Sequence, residues 1–496
     1  MKDTHTTSHC EPLTSASGAR FDGFFDAGNR RSYGKEKLLD ARARRIFDMT
    51  KAACEHGVYP YQIALQGRSG PWVRVEGRDM LSLSAYDYLG LIGDPRIDEA
   101  AKDAVTKYGT GTASARMLTG TLDLHHQMED ELAAFKRMDE AVSFSSGYLA
   151  NLGVVSALLG PQDRVILDAL SHRSLVDACR LAGVQIQRFR HNDPISLRQE
   201  LENGAPANRT LIIADGIFSM EGDICRLPEL IALKKEFGCY LMIDDAHATG
   251  VLGTYGRGTD EHFGVPAGEV DIWTGSVGKS IPASGGFACV SQEISIYLQH
   301  AAGPFVFSGA LCPMSAAVIR TALAIMLQEP ERVARVKSNA DFLRNGLRDL
   351  EYDLGASETP IIPIILRDEA TAAFFASHLR ERGILVAPVM FPAVPQGAAR
   401  LRLCATAAHT LEDLQFALDA FRELQPLLLA RCVNEQVLPL GYANQILYLG
   451  LLRYDPEFPE LADLLKSVPL DIMVSLIPVG PADFAELFQQ VRSHTL

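Results

Sequence analysis

The chain has 496 residues, a net charge of −14 at pH 7 and a composition that is 47% hydrophobic. This length predicts two or three domains with a large core. The acidic charge argues against nucleic acid or an anionic membrane as the main partner. The nine cysteines form no C-x-x-C pair, which argues against a zinc or other metal site and indicates a reducing compartment, the cytoplasm.

Residues 1–80 are predicted to form a tail and an arm. The first stretch, MKDTHTTSHCEPLTSASG, is polar and rich in Ser and Thr, which is typical of a loose tail and not of a signal peptide. No run of 18 apolar residues occurs in the sequence, so we expect no membrane-spanning segment.

Residues 81–330 are predicted to form a large α/β domain with a mainly parallel sheet. Short β-branched runs alternate with helix-like segments, most of them roughly 20 to 30 residues apart, as in βαβ units. The continuous apolar runs LIIA and YLMI favour strands that are buried on both faces. The predicted strands are EAVSFSSG, DRVILDA, VQIQRFR, RTLIIADGIF, CYLMIDDAH, VDIWTGSV and GGFACVS.

Helical periodicity follows from about residue 313 to 352, and residues 331–425 are predicted to form a smaller α+β domain. Its further signals are PIIPIIL, ATAAFFASHLRERG, ILVAPVMFP, ARLRLCATA and LEDLQFALDAFREL. Residues 426–496 are an extension with mixed helix and strand signals, to which we assign no chemistry.

The segment TGSVGKSIPASGG, residues 274–286, ends like a phosphate-binding P-loop. That motif requires a glycine five positions before the glycine of G-K-[ST]. Trp273 stands there instead of a glycine. Pro282 also removes a backbone N–H where the helix after a P-loop should begin. We therefore reject a nucleotide-binding role for Lys279.

A lysine in this context can instead bind pyridoxal 5′-phosphate (PLP). That cofactor also needs a carboxylate at its pyridine nitrogen, a phosphate cradle and a ring-stacking group, and these should lie at carboxyl ends of strands. Asp244 is the first acidic residue after YLMI, and its charge would favour a protonated pyridine. Asp245 equally suits a helix or turn cap. His247, three residues after Asp244, is a candidate contact of the phenolic oxygen.

Other strand ends offer the remaining groups. Gly147 and Tyr148 begin a helix in SFSSGYLANLGVV, where free N–H groups favour an anion, and Ser276 adds a hydroxyl group. His172, in LDALSHRSLVDA, can stack on a ring, although taken alone a histidine bonded to the backbone of a helix start is the more frequent case. Ser219, in ADGIFSMEGD, has a hydroxyl group suited to the phenolic oxygen.

Arg400 and Arg402 lie on one face of the predicted strand ARLRLCATAAH. A planar guanidinium can hold a carboxylate with two hydrogen bonds. An exposed strand face would explain the same two arginines without a ligand.

Together these stretches resemble the α-oxoamine synthase family of PLP enzymes, which has fold type I. The similarity extends from LSAYDYLGL to FREL at residue 424, and its most specific parts are LSHRSL, GIFSMEGD, LMIDDAHATGVLGTYGRG, GSVGKSIPASGGF and RLRLCATAAH. The resemblance implies a decarboxylative condensation of an amino acid with an acyl thioester, of coenzyme A or an acyl-carrier protein, that gives an α-amino ketone.

The resemblance also implies roles for individual residues. Lys279 would bind the cofactor covalently and later move the Cα proton of the substrate, and Arg402 would bind the amino-acid carboxylate. The active site would lie at the interface of a homodimer. The cofactor contacts that it implies are Lys279, Asp244, His172, Ser219, His247, Gly147, Tyr148, Ser276 and, acting on the neighbouring subunit, Ser308.

Two residues concern the choice of substrates within the family. Tyr86 stands where many members have asparagine, near the substrates, and Arg116 is predicted to face the acyl-donor pocket. With the extension at 426–496, these features suggest a specialised route to a long-chain amino lipid or a secondary metabolite. Two alternatives stay open: another fold type I enzyme, an aminotransferase or a lyase, and a non-catalytic partner subunit, which would lack the lysine.

Overall fold

The structure is a computed structural model that describes residues 41–55, 59–204, 207–391 and 393–436. The tail predicted at the start of the chain, and the part of the C-terminal extension beyond residue 436, lie outside the described residues.

The described strands are β1 Trp72–Val75, β2 Arg78–Ser82, β3 Glu140–Phe144, β4 Arg164–Asp168, β5 Gln185–Phe189, β6 Thr210–Asp215, β7 Tyr240–Asp244, β8 Ile272–Gly278, β9 Pro282–Val290, β10 Ile361–Arg367, β11 Ile384–Leu385, β12 Pro388–Val389 and β13 Ala399–Cys404. The described helices are α1 Ala41–Glu55, α2 Pro95–Tyr108, α3 Asp123–Lys136, α4 Gly147–Leu158, α5 Arg173–Ala182, α6 Pro194–Asn203, α7 Leu227–Phe237, α8 Thr259–Phe263, α9 Gln292–Ala301, α10 Gly303–Val306, α11 Pro313–Gln328, α12 Glu331–Asp349, α13 Glu369–Glu381 and α14 Leu411–Gln436.

A seven-stranded sheet in the order β3-β9-β8-β7-β6-β4-β5 forms the centre of the fold. Only β9 runs against the direction of the others. The mainly parallel α/β sheet predicted from the sequence is therefore confirmed, and each of the seven predicted runs overlaps one of its strands. Helices join the parallel strands, as expected for βαβ connections.

The sheet is buried on both faces. Along β7, Leu241 and Ile243 pack in one hydrophobic cluster, and Met242 between them packs in another. Because successive side chains of a strand point to opposite faces, a continuous apolar run fills both clusters at once. This burial leaves the polar residues that follow each run at the carboxyl edge of the sheet.

Two adjacent strands bring acidic residues together at that edge. Asp215 at the end of β6 pairs in register with Asp244 at the end of β7. The main-chain ladder thus sets their spacing before any side-chain contact is made. The carboxyl edge of the sheet is where ligands bind in open α/β sheets.

Two three-stranded sheets complete the described fold, in the orders β1-β2-β11 and β10-β13-β12. The β1–β2 hairpin was not predicted. Glu76 and Gly77 connect its two strands, and both have positive φ, 50° and 77°, as in tight two-residue hairpin turns. Leu81 and Leu83 pack in one cluster with Leu401 of β13. The strand β2 thus packs against the C-terminal part of the chain. The domain boundaries given above stay predictions.

The helices predicted between residues 313 and 352 are α11 and α12, and the smaller α+β region contains β10, α13, β13 and α14 as expected. Within the residues that the structure describes, no helix combines the length and the apolar character that a membrane crossing requires.

Candidate active site

Lys279 follows β8 at the carboxyl edge of the central sheet. The chain then enters β9 at Pro282, so a strand and not a helix follows the lysine, which agrees with the rejection of a P-loop. A cavity of about 190 Å³ opens beside it. Seven of the twelve predicted site residues line this cavity: Gly147, Tyr148, His172, Asp244, His247, Ser276 and Lys279.

The amine of Lys279 forms no ion pair with any described residue. Burial lowers its pKa to about 8, the negative charges of Asp244 and Asp215 act in the opposite direction, and the positive charge of Arg402 lowers it further. An amine with such a pKa is partly neutral near physiological pH. The neutral form is the one that attacks a carbonyl carbon.

The two aspartates after YLMI have different surroundings. Asp244 lines the cavity, and its Oδ2 accepts a hydrogen bond from Nδ2 of Asn151 at 2.7 Å. Its Oδ1 accepts the backbone N–H of Ala246 at 3.0 Å. Asp245 points elsewhere, to a buried ion pair with Lys136 at 2.9 Å and a hydrogen bond from the hydroxyl of Thr259. Asp244 is thus the aspartate that can face a ligand in the cavity.

Asp215 is a second carboxylate in the cavity that the sequence analysis missed. It accepts the backbone N–H of His172 with both oxygens, at 3.2 and 3.3 Å. Burial, together with the charge of Asp244, raises its pKa well above the ordinary value. The signal was available, because Asp215 ends the run LIIA just as Asp244 ends YLMI.

His172 is the N-terminal cap of α5 and also lines the cavity. Its Nδ1 accepts the backbone N–H of Ser174 at 3.3 Å and lies 2.7 Å from the hydroxyl oxygen of Ser174. Burial and the nearby charge of Lys279 lower its pKa, against the effect of Asp244. The ring is therefore neutral at pH 7, and since Nδ1 is an acceptor, its proton is on Nε2. His172 thus caps α5 and lines the cavity at the same time, so the two interpretations of this histidine from the sequence are compatible.

His247 contacts a tyrosine that the sequence analysis did not single out. Its Nδ1 lies 3.0 Å from the phenolic oxygen of the fully buried Tyr88. Burial, and then the positive charges of Lys279 and Arg402, lower the pKa of His247 well below its usual value. The imidazole is neutral, and it forms a hydrogen bond with Tyr88 on one side while it lines the cavity on the other.

One end of the cavity lies at the first turn of α4. Ser146 caps this helix by accepting the N–H of Leu149, which leaves the N–H groups of Gly147 and Tyr148 without an intrahelical acceptor. A Cβ on Gly147 would lie 2.8 Å from Cβ of Ser276, so only glycine fits there. This end can hold an anion.

Arg402 is buried beside the cavity and does not line it. Its Nε donates to the carbonyl of Ser219, its Nη1 lies 2.9 Å from Sγ of Cys404, and its guanidinium lies 4.8 Å from the ring of Tyr86. Among the described residues, Nη2 of Arg402 has no hydrogen-bond acceptor. A buried donor without an acceptor is costly, and a carboxylate ligand would satisfy it.

The remaining predicted residues do not line the cavity. Ser219 uses its backbone carbonyl for Arg402, and Ser308 lies beside the exposed Phe307. Arg400 is bound to the carbonyl of Met220 and to Glu221.

Arg116, which the sequence analysis expected to face an acyl-donor pocket, forms a buried ion pair and does not line the cavity. Both terminal nitrogens of Arg116 donate to the carboxylate of Glu129 at 2.7 Å, and the pair is buried. The carboxylate of Glu129 compensates the charge of the guanidinium, while Nε donates to Thr121 and Nη1 also donates to Ser143. The sequence could not show this, because Glu129 is brought near by the fold of α3 against the preceding loop.

Comparisons with known proteins show which family the chain resembles. The family model described as aminotransferase class I and II matches residues 78–421. The chain is 41% identical over 368 residues to 8-amino-7-oxononanoate synthase of Exiguobacterium sibiricum, which covers 74% of this chain and 94% of that protein. It is 38% identical over 373 residues to serine palmitoyltransferase of Sphingobacterium spiritivorum, which covers 75% of this chain and 93% of that protein.

Among solved structures, the chain is similar to serine palmitoyltransferase from S. paucimobilis with bound PLP. The TM-score is 0.76 at 32% sequence identity, and the match covers 79% of this chain and 99% of that chain. The range matched by the family model contains every residue that lines the cavity.

Proposed function

The chain belongs to the α-oxoamine synthase family, the PLP-dependent enzymes that condense an amino acid with an acyl thioester, and we propose a role for each residue of its cavity in that reaction. The single observation that carries this assignment is the amine of Lys279. It is half-buried, has no ion pair among the described residues, and has a pKa of about 8 next to Asp244.

The residues present fit the cofactor. The cavity of about 190 Å³ is below the roughly 300–1,000 Å³ of pockets for drug-sized ligands, so it matches one small ring with its phosphate. A Cβ on Gly286 would collide with the backbone nitrogen of Gly147, so two glycines keep the phosphate end open. When bound, PLP supplies an electron sink for the negative charge that develops on Cα of the amino acid.

The side chains around the ring would each hold one part of the cofactor. Asp244 holds the proton of the pyridine nitrogen by charge attraction, and His172 stacks on the ring with its neutral imidazole. His247 and Ser219 contact the phenolic oxygen, and Lys279 binds the aldehyde carbon. The phosphate contacts are Gly147, Tyr148 and Ser276, with Ser308 contributed from the neighbouring subunit.

Lys279 and Arg402 act on the amino acid itself. Nη2 of Arg402, which has no acceptor among the described residues, binds the carboxylate of the amino acid. The hydrogen bonds of Nε to Ser219 and of Nη1 to Cys404 hold the guanidinium in place. Tyr86, whose ring lies 4.8 Å from the guanidinium of Arg402, borders the side chain of the amino acid. Lys279 takes the proton from Cα, since a base with a pKa near the working pH transfers protons efficiently.

We further propose that the enzyme is a homodimer that uses acyl thioesters of coenzyme A or an acyl-carrier protein to make an amino lipid or a related metabolite. Phe307 is 88% exposed and Leu118 is 78% exposed. Both lie near the bridge between Ala115 and Gly309, so together they offer an apolar surface for a second copy. Seven cysteines whose side chains the structure describes are free thiols, which supports a cytoplasmic location.

The test is a panel of amino acids incubated with short and long acyl thioesters, scored by the mass of the ketone, CO₂ and free thiol. Formation of all three supports the proposal. A 2-oxo acid without thiol release would instead support the aminotransferase alternative, and PLP binding without turnover of any substrate would support a partner subunit. The Lys279→Ala variant is the control for reactions that do not need the site.

A further inference from the structure

Asn151 is a buried residue of the cavity for which neither the resemblance nor the proposed function gives a role. It lies in the second turn of α4 and is 1% exposed. Its side chain forms three hydrogen bonds, all shorter than 2.9 Å: with Asp244 at 2.7 Å, Ser174 at 2.8 Å and Thr274 at 2.7 Å.

The direction of each hydrogen bond follows from chemistry. A carboxylate accepts only, so Nδ2 of Asn151 must face Asp244 and its Oδ1 must accept the hydroxyl of Thr274. The second hydrogen of Nδ2 goes to the hydroxyl oxygen of Ser174. That hydroxyl then donates its own hydrogen to Nδ1 of His172, 2.7 Å away. Every polar atom of the asparagine is thereby satisfied.

The chain of hydrogen bonds ends at Asp244 and His172, and both residues are assigned to binding the ring of the cofactor. Asp244 is the charge partner of the ring in its plane, and His172 is the group that stacks on it. We propose that Asn151 is a positioning residue that holds the carboxylate of Asp244 and, through Ser174, the imidazole of His172 in one fixed arrangement. This inference rests on the proposed function of the cavity.

Thr274 makes a specific test possible. It is fully buried in β8 and does not line the cavity, so it can influence a ligand only through other residues. Replacement by valine keeps its shape and removes the donor to Oδ1 of Asn151, whereas replacement by serine keeps the donor. A role in shape alone would favour valine over serine, and the proposed role favours serine over valine.

Asn339 provides a matched control. It is also buried, and its Nδ2 donates to two backbone carbonyls, those of Thr406 at 2.8 Å and His409 at 2.9 Å. It does not line the cavity. Asn339→Ala therefore removes a buried amide with similar bonding, and we expect a lower unfolding temperature with unchanged cofactor affinity.

The experiment measures the dissociation constant of PLP for the cofactor-free full chain, from its visible absorption band, and the unfolding temperature without PLP. We expect Asn151→Ala to weaken binding by about tenfold or more, as for a lost hydrogen bond to a charged group. Thr274→Val should weaken it severalfold, and Thr274→Ser should bind as the wild type does.

Equal PLP affinity of Asn151→Ala and Asn339→Ala would overturn the inference, as would equal affinities of Thr274→Val and Thr274→Ser. Those outcomes leave the proposed function intact, because the wild-type chain still binds PLP. Failure of the wild-type chain to bind PLP would refute the proposed function and this inference with it, so the two failures are distinguishable.

Discussion

Lys136 and Lys279 show how the same side chain serves two opposite purposes within one fold. Both lie beside an aspartate of the pair Asp244–Asp245. The amine of Lys136 is fully buried, forms ion pairs with Asp245 and Asp260 at 2.9 and 3.1 Å, and donates to the carbonyl of Arg257. Lys279 has no such partner among the described residues.

The pKa values of the two lysines differ accordingly. Burial works against the charged amine of Lys136, but its two carboxylates outweigh burial and raise its pKa. For Lys279 burial prevails and the pKa falls to about 8. Burial with paired charges therefore gives a structural link between elements, and burial without an ion pair gives a nucleophile.

The largest expected effect is that of Lys279→Ala. Turnover should fall by at least about 10³-fold, within the range of general acid–base catalysis, and the visible band of bound PLP should disappear. The matched variant Lys136→Met should keep the band, because it changes only the structural cluster. A Lys279→Ala protein with an intact band would contradict the assignment of the nucleophile.

Variants of Asp244 and Asp245 test the same distinction between a residue that acts on a ligand and a residue that stabilises the fold. Asp244→Asn removes the charge next to the ring and should lower kcat by roughly 10²-fold, as for loss of one preorganised electrostatic group. Asp245→Asn breaks a buried ion pair and should reduce the free energy of unfolding by about 3–5 kcal/mol, with nearly normal kcat in the folded fraction. Denaturant unfolding and steady-state kinetics distinguish these, and a reversed pattern would exchange the two assignments.

Arg402 should affect substrate binding more than the chemical step. Arg402→Gln loses hydrogen bonds to a carboxylate, about 1.5–3 kcal/mol, which corresponds to a KM for the amino acid raised roughly 10- to 100-fold. Arg400→Gln is the control, since Arg400 is bound to Glu221 and should leave this KM unchanged. Equal effects of the two variants would count against Arg402 as the carboxylate site.

The smallest effect is a pH dependence of PLP loading onto the cofactor-free chain. The neutral amine of Lys279 is the reactive form, so the loading rate should rise about tenfold per pH unit below pH 8 and level off above it. Because the negative charge of Asp244 raises the pKa of Lys279, Asp244→Asn should move the midpoint to lower pH. Stopped-flow absorption measures this rate, and a midpoint near the ordinary lysine pKa would contradict the role of burial.

Residues that follow a buried apolar run could be predicted from the sequence. Asp244 is such a residue, and the seven strands of the central sheet follow from the same pattern of hydrophobicity, whereas Lys279 was indicated by the motif G-K-S. Asp215, at the end of the strand that contains LIIA, carries the same signal.

Other residues of the cavity carry no local signal. Asn151 is 93 residues from Asp244, and Tyr88 is 159 residues from His247. Each is one polar residue in an otherwise ordinary segment. Arg116 forms an ion pair with Glu129, and nothing near it in the sequence shows that pairing.

The sequence by itself determined which segments become buried strands and which polar residues end them, because hydrophobic periodicity and β-branched runs act over a few neighbouring residues. The tertiary structure alone decided that Asp215 shares the cavity with Asp244, that Lys279 has no ion-pair partner among the described residues and that Asn151 links a carboxylate to an imidazole. Those outcomes depend on short distances between residues that are far apart in the chain. Such distances are set by strand register and helix packing, and no local pattern of residues encodes them.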